Sequence, residues 1–117
     1  TGKIPAFYNV FPELNHNEMT GFDAKGKTKT LAEQFCFIIL EDETDNTKTK
    51  KRIEVVDKLL NERKLMVVKL PLKGSTIFEK IFSSLLLADW TAHYSAEQYG
   101  VESEQVPMVE EFKKLIA

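Results

Sequence analysis

One short stretch of this sequence carries most of its hydrogen-bonding and titratable chemistry. Residues 13–18, with the sequence Glu-Leu-Asn-His-Asn-Glu, place two carboxylates, two carboxamides and one imidazole in six consecutive positions. Leu14 is their only apolar member. His16 matters most, because a histidine beside carboxylates suits a general acid or base that works near neutral pH. The alternative is a histidine that is merely exposed, or one whose hydrogen bonds are satisfied by the fold.

The residues around this cluster match a known family at both ends of the chain. Residues 5–18 (PAFYNVFPELNHNE) closely resemble part of the second half of the bifunctional phosphoglucose/phosphomannose isomerase family. Members of that family consist of two sugar-isomerase (SIS) domains. The C-terminal region is similar to the closing helix of the family over residues 99–101, 106–107 and 110–113. The resemblance therefore brackets nearly the whole chain.

This resemblance implies an aldose–ketose isomerase that acts on hexose phosphates and needs neither a cofactor nor a metal. Such enzymes open the sugar ring and move a proton between C2 and C1 through a cis-enediol. The family histidine that opens the ring corresponds to His16. A family lysine on the C-terminal helix corresponds to Lys113, with Lys114 as the alternative one position along. A cation there would stabilise the negative charge that develops on the substrate.

Two departures from the family pattern limit what this chain is expected to do alone. The carbon-acid base of the family is a glutamate expected about one residue before Thr1, and the phosphate-binding loop is expected further upstream. Because residue 1 is not Met, we expect the chain to be excised from a longer one. Residues 102–105 replace a proline-containing turn that approaches C2 of the substrate in the family. Acceptance of mannose 6-phosphate is therefore open.

Composition indicates one soluble domain. The chain has 117 residues, 43% apolar and 29% charged, with a formal charge of −2. That charge argues against a nucleic-acid-binding surface, which is usually basic. The lone Cys36 lies in an apolar run and indicates a small core residue in a reducing compartment. We therefore expect a cytoplasmic protein that binds neither nucleic acid nor membrane.

The regions that flank the histidine cluster show contrasting patterns. Apolar side chains recur at three- and four-residue spacing over residues 4–14, which predicts a helix. Pro12 should break or restart that helix just before the cluster. The polar stretch 20–30, with three lysines, predicts a solvated loop. A loop of this charge could also meet a phosphate.

The middle of the chain predicts a strand–helix–strand unit. Residues 35–40 and 65–70 are continuous apolar runs, which favour strands buried on both faces as in parallel sheets. Between them, an amphipathic stripe of Ile53, Val56, Leu59 and Leu60 predicts a helix that runs to about Arg63. Strand, helix and strand in this order predict an α/β fold with a parallel sheet. The family resemblance implies, beyond this, an SIS-type three-layer αβα sandwich.

The last third of the sequence predicts two helices. Thr76 and Glu79 fit a capping box at the start of the longer helix, which Gly100 should close. The segment 74–76 could instead bind an anion through its backbone N–H groups, although capping already explains it. Residues 81–90 are apolar on nearly all sides, so this helix should lie deep, between the sheet and another subunit or domain. A final helix is expected to start at Pro107.

Three functions are compatible with these features. The first is the C-terminal SIS half of a hexose phosphate isomerase, which in this family is a homodimer whose histidine reaches the neighbouring active site. The second is a non-catalytic SIS module that binds a sugar phosphate and regulates a partner. The third is a dimerisation domain, which the apolar residues 81–90 favour.

Overall fold

The computed structural model describes residues 7–23 and 25–117, which fall into two compact units. The first unit is Phe7–Lys73, and the second contains Gly74–Ala117. In chain order the first contains a 3₁₀ turn (Glu13–Asn15), α1 (Asn17–Gly21), a second 3₁₀ turn (Gly26–Thr28), α2 (Lys29–Ala32), β1 (Cys36–Glu41), α3 (Thr47–Glu62) and β2 (Met66–Pro71). The second contains α4 (Ile77–Gln98) and α5 (Pro107–Ile116).

A strand–helix–strand unit organises the first compact unit, as the sequence predicts. β1 and β2 pair in parallel, with Cys36 opposite Met66 at one end of the register. α3 connects them, and the Asn46 side chain caps it by accepting a hydrogen bond from the Thr49 N–H at 3.0 Å. Parallel pairing of consecutive strands needs such a crossover, because the chain must return to the same end of the sheet. The predicted α/β class and parallel sheet are confirmed.

One face of α3 builds the core of this unit. Its buried residues Ile53, Val56 and Leu60 are three and four positions apart, so they share that face. The same buried cluster also contains Ala32, Ile39 and Leu65. The amphipathic stripe that predicts the helix is therefore the surface that the helix buries.

Burial of the strands differs from the prediction. The apolar runs predict cover on both faces, but Ile38 is 61% exposed and Leu40 is 51% exposed, whereas Ile39 is 6% exposed. Cys36, predicted to lie in the core, is exposed as well. Side chains alternate between the two faces of a strand, and no other described element of this unit covers the second face. Both burial predictions are wrong for the chain by itself.

The helix predicted over residues 4–14 is wrong where the structure can test it. Residues 7–12 form coil and a turn, and the first three residues of the predicted helix lie outside the described ranges. Two local features compete with a helix: the Asn9 side chain accepts a hydrogen bond from the next N–H at 2.7 Å, and Pro12 has no N–H. The restart after Pro12 is confirmed, since a 3₁₀ turn begins at Glu13.

The polar stretch 20–30, predicted as a loop, is partly helical. Its second half forms a 3₁₀ turn and the start of α2, which ends at Ala32. Ala32 is 3% exposed in the core, and this packing stabilises turns that composition alone does not predict. Lys25 and Lys29 are exposed, and both form surface ion pairs. The lysines are thus solvated, as expected.

Both ends of α4 are as predicted. The Thr76 hydroxyl accepts from the Glu79 N–H at 3.2 Å, and the Glu79 carboxylate accepts from the Thr76 N–H at 3.0 Å, which completes the capping box. Gly100 follows the helix at φ 65°, in the left-handed region that favours glycine. The Val101 N–H then donates to the Ala96 carbonyl at 3.0 Å, as in a Schellman motif.

The apolar surface of α4 is exposed, contrary to the prediction that this helix lies deep. Its buried residues are Lys80 and Ala96. Its large apolar side chains are 45–67% exposed: Ile77, Phe78, Ile81, Phe82, Leu85, Leu86, Leu87 and Trp90. Such patches on soluble proteins usually mark contact surfaces, so cover by another subunit or domain stays a prediction. Across the two described ranges, none of the helices has the length and hydrophobicity that crossing a bilayer requires.

α5 begins at Pro107, as predicted. Proline is well suited there, because the first N–H groups of a helix have no partner within it. The large apolar side chains of α5 are exposed, with Phe112 at 59%. Lys113 and Lys114 lie in the last turn, where positive charge is favourable beside the negative end of the helix dipole.

Candidate active site

His16 lies at the junction between two helical turns. It ends the 3₁₀ turn and is the N-cap of α1, with φ −107° and ψ −123°. Its N–H donates to the Glu13 carbonyl at 3.0 Å. The residue is exposed, and its imidazole does not cap α1. The side chain is therefore accessible to a ligand, and its catalytic role stays a prediction.

The two carboxylates next to His16 in sequence occupy helical first turns. Glu13 is in the first turn of the 3₁₀ segment and Glu18 is in the first turn of α1. Negative charge is favourable there, because the backbone N–H groups of a first turn have no partner within the helix and form the positive end of its dipole. Within the described part of the chain, neither carboxylate forms an ion pair with the imidazole. The imidazole therefore has no charged partner among the described residues.

Apolar side chains hold the histidine-bearing segment, residues 11–23, on the core. Phe11, Leu14, Met19 and Phe22 are partly buried and pack against the core cluster. The ring of Phe22 also meets the rings of Phe37 and Phe35 edge-on, at centroid distances of 4.8 Å and 5.4 Å. The apolar members of the segment thus face the core, whereas His16 is left exposed.

An ion pair that the sequence does not signal ties the end of this segment to α3. Arg63 Nη2 and Nε donate to Oδ1 of Asp23 at 2.6 Å and 3.2 Å, and Nη1 donates to the Leu59 carbonyl at 3.0 Å. Lys25 lies 2.7 Å from the other carboxylate oxygen. The Lys25 ammonium, together with the Arg63 guanidinium, lowers the pKa of Asp23 from 3.8 to about 2. Asp23 and Arg63 are 40 positions apart, so no local pattern could reveal their bond.

We expect the ion pairs of Asp23 with Lys25 and Arg63 to make the free energy of unfolding depend on pH in the acid range. The folded pKa of Asp23 lies below its ordinary value, so the contribution is complete above about pH 4 and is lost as the pH falls towards 2. Urea unfolding curves recorded between roughly pH 5 and pH 2 should show that Asp23→Asn flattens this dependence.

The matched control for this prediction is Glu54→Gln. It removes the carboxylate of a surface pair, in which Lys51 Nζ lies 3.1 Å from Glu54 Oε2 within α3. Surface pairs of this kind contribute little to stability. If both variants changed the acid dependence equally, Asp23 would have no special share in it.

A groove of about 570 Å³ runs between the histidine-bearing segment and α3. Its lining includes the apolar side chains of Met19, Val55, Val56 and Leu59 and the cationic side chains of Lys48, Lys51 and Arg52. The carboxamide of Asn15, next to His16 in sequence, lines it as well. Oδ1 of Asn15 is buried and has no hydrogen-bond partner among the residues that the structure describes. Lys51 is already paired with Glu54 at 3.1 Å, so Lys48 and Arg52 are the lining cations that favour an anionic ligand.

Lys113, the other predicted site residue, lies in the second compact unit. Its Nζ lies 2.7 Å from Oε1 of Glu110, one turn earlier on α5, and its side chain is 62% exposed. Lys114 is exposed too. Each lysine is accessible, and the choice between them stays open. His16 and Lys113 belong to different units, each of which the structure describes by itself.

The anion site considered at residues 74–76 is replaced by capping. The Glu79 carboxylate accepts hydrogen bonds from the N–H groups of Ser75 at 2.6 Å and Thr76 at 3.0 Å. These are the groups that an anion would need. At Gly74, with φ 151°, a Cβ would lie 2.7 Å from that of Glu79, which explains the glycine. The Glu79 carboxylate therefore occupies the place in which an anionic ligand would bind.

Other titratable residues of the described part do not form a second site. In residues 7–23 and 25–117 there is no group of three His, Cys, Asp or Glu side chains that could hold a metal ion. Lys69 lies 3.6 Å from Glu41 and 3.5 Å from Asp57. These carboxylates raise the pKa of Lys69, Glu41 being the larger cause. The trio links β1, β2 and α3, and no local pattern signals it because its members are far apart in the chain.

Comparison with known proteins agrees with the expectations from sequence. A family model described as the C-terminal SIS domain of bacterial phospho-glucose isomerase matches residues 1–116. A bifunctional phosphoglucose/phosphomannose isomerase of Aquifex aeolicus is 28% identical over 112 residues, covering 96% of this chain and 34% of the relative. No solved structure gives a significant match.

Two further relatives carry the same name. The protein of Thermoplasma volcanium is 30% identical over 115 residues, which is 98% of this chain and 35% of the relative. The protein of Thermoplasma acidophilum is 30% identical over 115 residues, with 98% and 34% coverage. The chain therefore spans about a third of the length of the curated relatives it matches.

Proposed function

Because the chain belongs to the family of bacterial phosphoglucose isomerase C-terminal SIS domains, we propose that it is the C-terminal SIS domain of an aldose–ketose isomerase of hexose phosphates. The proposed reaction converts glucose 6-phosphate to fructose 6-phosphate. Mannose 6-phosphate is the second substrate to test, since the names of the relatives include both activities. The full-length protein is the polypeptide that joins this domain to the proposed N-terminal SIS domain.

The observation that carries this proposal is the placement of His16. The segment around it is packed on the core, yet the residue itself is exposed and its side chain does not cap α1. The cationic groove that includes Asn15 lies beside the same segment. A hexose phosphate is an anion rich in hydroxyl groups, and positive charge near a site raises the local concentration of such a ligand.

Ring opening is the step that we assign to His16. The bond between C1 and the ring oxygen of glucose 6-phosphate breaks as one proton reaches the ring oxygen and another leaves the anomeric hydroxyl. An imidazole can donate or accept such a proton near neutral pH. The carbon-acid base expected upstream of Thr1 would then move the proton between C2 and C1. The Lys113 ammonium would stabilise the negative charge on the enediol oxygen.

Exposed apolar surface supports a homodimeric assembly of the full-length protein. Phe7 and Tyr8, close to the histidine cluster, are 82% and 89% exposed. Phe11, three residues after Tyr8, is partly buried against the core. The exposed face of α4 adds a second apolar surface. A two-fold dimer is the commonest way to cover such surfaces, and we propose one in which His16 reaches the neighbouring active site.

An isomerisation assay of the full-length protein tests this function. We expect turnover of glucose 6-phosphate, whereas the isolated 117 residues should be inactive, because the base and the phosphate loop are expected upstream. Mannose 6-phosphate is assayed in parallel. Activity of the pure fragment would contradict the assignment of the base to the upstream part. A full-length protein that bound hexose phosphate in calorimetry without isomerising it would be the regulatory module instead.

A further inference from the structure

Among the described residues, the His16 side chain has no hydrogen-bonding partner that fixes it, so its position depends on what holds α1. The backbone from His16 to Asp23 is turned throughout. It passes through α1, and the N–H groups of Phe22 and Asp23 then donate to the Met19 and Thr20 carbonyls at 3.1 Å and 3.3 Å. The five residues of α1 rise only about 7.5 Å. A restraint on Asp23 therefore also restrains His16 at the other end of this short helix.

Arg63 supplies such a restraint. It directly follows α3, and its guanidinium bonds to the Leu59 carbonyl in the last turn of that helix and to Asp23. The planar fork of arginine accepts few arrangements of its partners, so these bonds are directional. The two side chains are only 33% and 38% exposed. In the described part of the chain, no other side-chain hydrogen bond or ion pair joins residues 11–23 to α3 or to Arg63.

The apolar anchors of the segment act differently from this bond. Contacts of Phe11, Leu14, Met19 and Phe22 keep the segment on the core, but hydrophobic contact is non-directional and tolerates small shifts and rotations. A hydrogen-bonded ion pair of fixed geometry does not tolerate such shifts and rotations. We therefore propose that Arg63 is a positioning residue, which holds His16 in place through Asp23. The inference rests on the ring-opening role proposed for His16.

Proton transfer sets the expected size of the effect. A general acid must lie within hydrogen-bond reach of the atom that it protonates, and a misplacement of ~1 Å can cost ~10²-fold in rate. Loss of the Arg63 bond frees one end of α1 while the apolar anchors remain. We expect ring opening to slow by roughly 10- to 100-fold. The later proton transfer between carbon atoms should be unaffected, because His16 takes no part in it.

The test compares two substrates in the full-length Arg63→Met variant. Methionine keeps an unbranched apolar stem but has no donors. Fructose 6-phosphate must open its ring, whereas 5-deoxyfructose 6-phosphate lacks the hydroxyl that closes the furanose and stays open. The variant should lose kcat on fructose 6-phosphate, with little change in KM, and keep its kcat on the 5-deoxy analogue. Arg63→Lys, which can restore one of the bonds, should recover part of the loss.

Lys58→Met is the matched control. Lys58 is another cation of α3, and its partner is Glu62 on the same helix, at 3.7 Å. This control should change neither kcat. If Arg63→Met lowered turnover of both substrates equally, or behaved like Lys58→Met, the positioning role would be overturned.

A second variant guards against loss of folding. Asp23→Asn removes the charge from the other side of the bond at nearly constant volume, and it should give the same selective loss on fructose 6-phosphate. If both variants fold and neither discriminates between the substrates, the inference fails. Failure of the proposed function is seen separately, because His16→Ala itself would then treat both substrates alike.

Discussion

His16→Ala in the full-length protein should lower kcat on fructose 6-phosphate by about 10²- to 10⁴-fold, the usual contribution of a positioned acid or base. Turnover of 5-deoxyfructose 6-phosphate should stay close to that of the wild type. The reason is that the open-chain analogue enters the reaction after the step assigned to the imidazole. Steady-state kinetics on the two substrates give the comparison directly.

The other histidine of the chain offers a control for this prediction. His93 lies on α4, where its Nδ1 is 3.0 Å from Oγ of Ser103. His93→Ala removes an imidazole that has a partner in the fold. Its effect on kcat should be the same for the cyclic and the open-chain substrate. Equal losses on both substrates in His16→Ala would remove the ring-opening role from His16.

Two inactive variants should restore activity to each other when their subunits exchange. One is His16→Ala, and the other lacks the glutamate expected upstream of Thr1. If His16 serves the neighbouring active site, a hybrid dimer contains one site with both groups intact. Random exchange makes about half of the dimers hybrids, so about a quarter of the wild-type activity should return.

Native mass spectrometry can verify the exchange before activity is measured. Isotope labelling of one variant distinguishes hybrid dimers from the parents. If hybrids form and activity does not return, His16 serves its own subunit. A strictly monomeric full-length protein would contradict the dimer. The exposed face of α4 would then have to be covered by another part of the same chain.

Local sequence chemistry predicted the helix ends and the central unit. Thr76 and Glu79 are three residues apart, so one short motif specifies the start of α4. Gly100 is the residue that most easily adopts the left-handed φ after a helix. The stripe of Ile53, Val56 and Leu60 predicted both the helix and its buried face. Each of these signals lies within a few residues, which is why the sequence alone reveals it.

Features that depend on distant partners were missed or wrong. The bond between Asp23 and Arg63 joins positions 40 apart, and neither residue is unusual in its local context. Cys36 and the apolar side chains of α4 were expected to be buried, because apolar patterns report a preference for burial and not the partner that provides it. The helix predicted over residues 4–14 is wrong over residues 7–12, where a few apolar positions do not outweigh local competition for the backbone.

The sequence also predicted some features of the candidate site, whereas others appear only in the structure. The motif around His16 specified the residue, and the structure adds that it is exposed and how its segment is held. No periodicity could have indicated the groove, because Asn15 and the cations of α3 meet only in the folded chain. Lys113 was assigned by resemblance alone, and its place at the end of α5 is compatible with Lys114 as well.

Exchange between the anomers of glucose 6-phosphate tests the central claim most directly. Ring opening interconverts the two anomers. A catalyst of that step therefore produces exchange cross-peaks between the signals of the α and β anomers in two-dimensional NMR exchange spectra. The wild-type full-length protein should accelerate this exchange, and so should a variant without the upstream glutamate, because opening precedes its step. His16→Ala should leave the exchange at the uncatalysed rate. If His16→Ala accelerates anomer exchange as well as the wild type does, His16 does not open the ring.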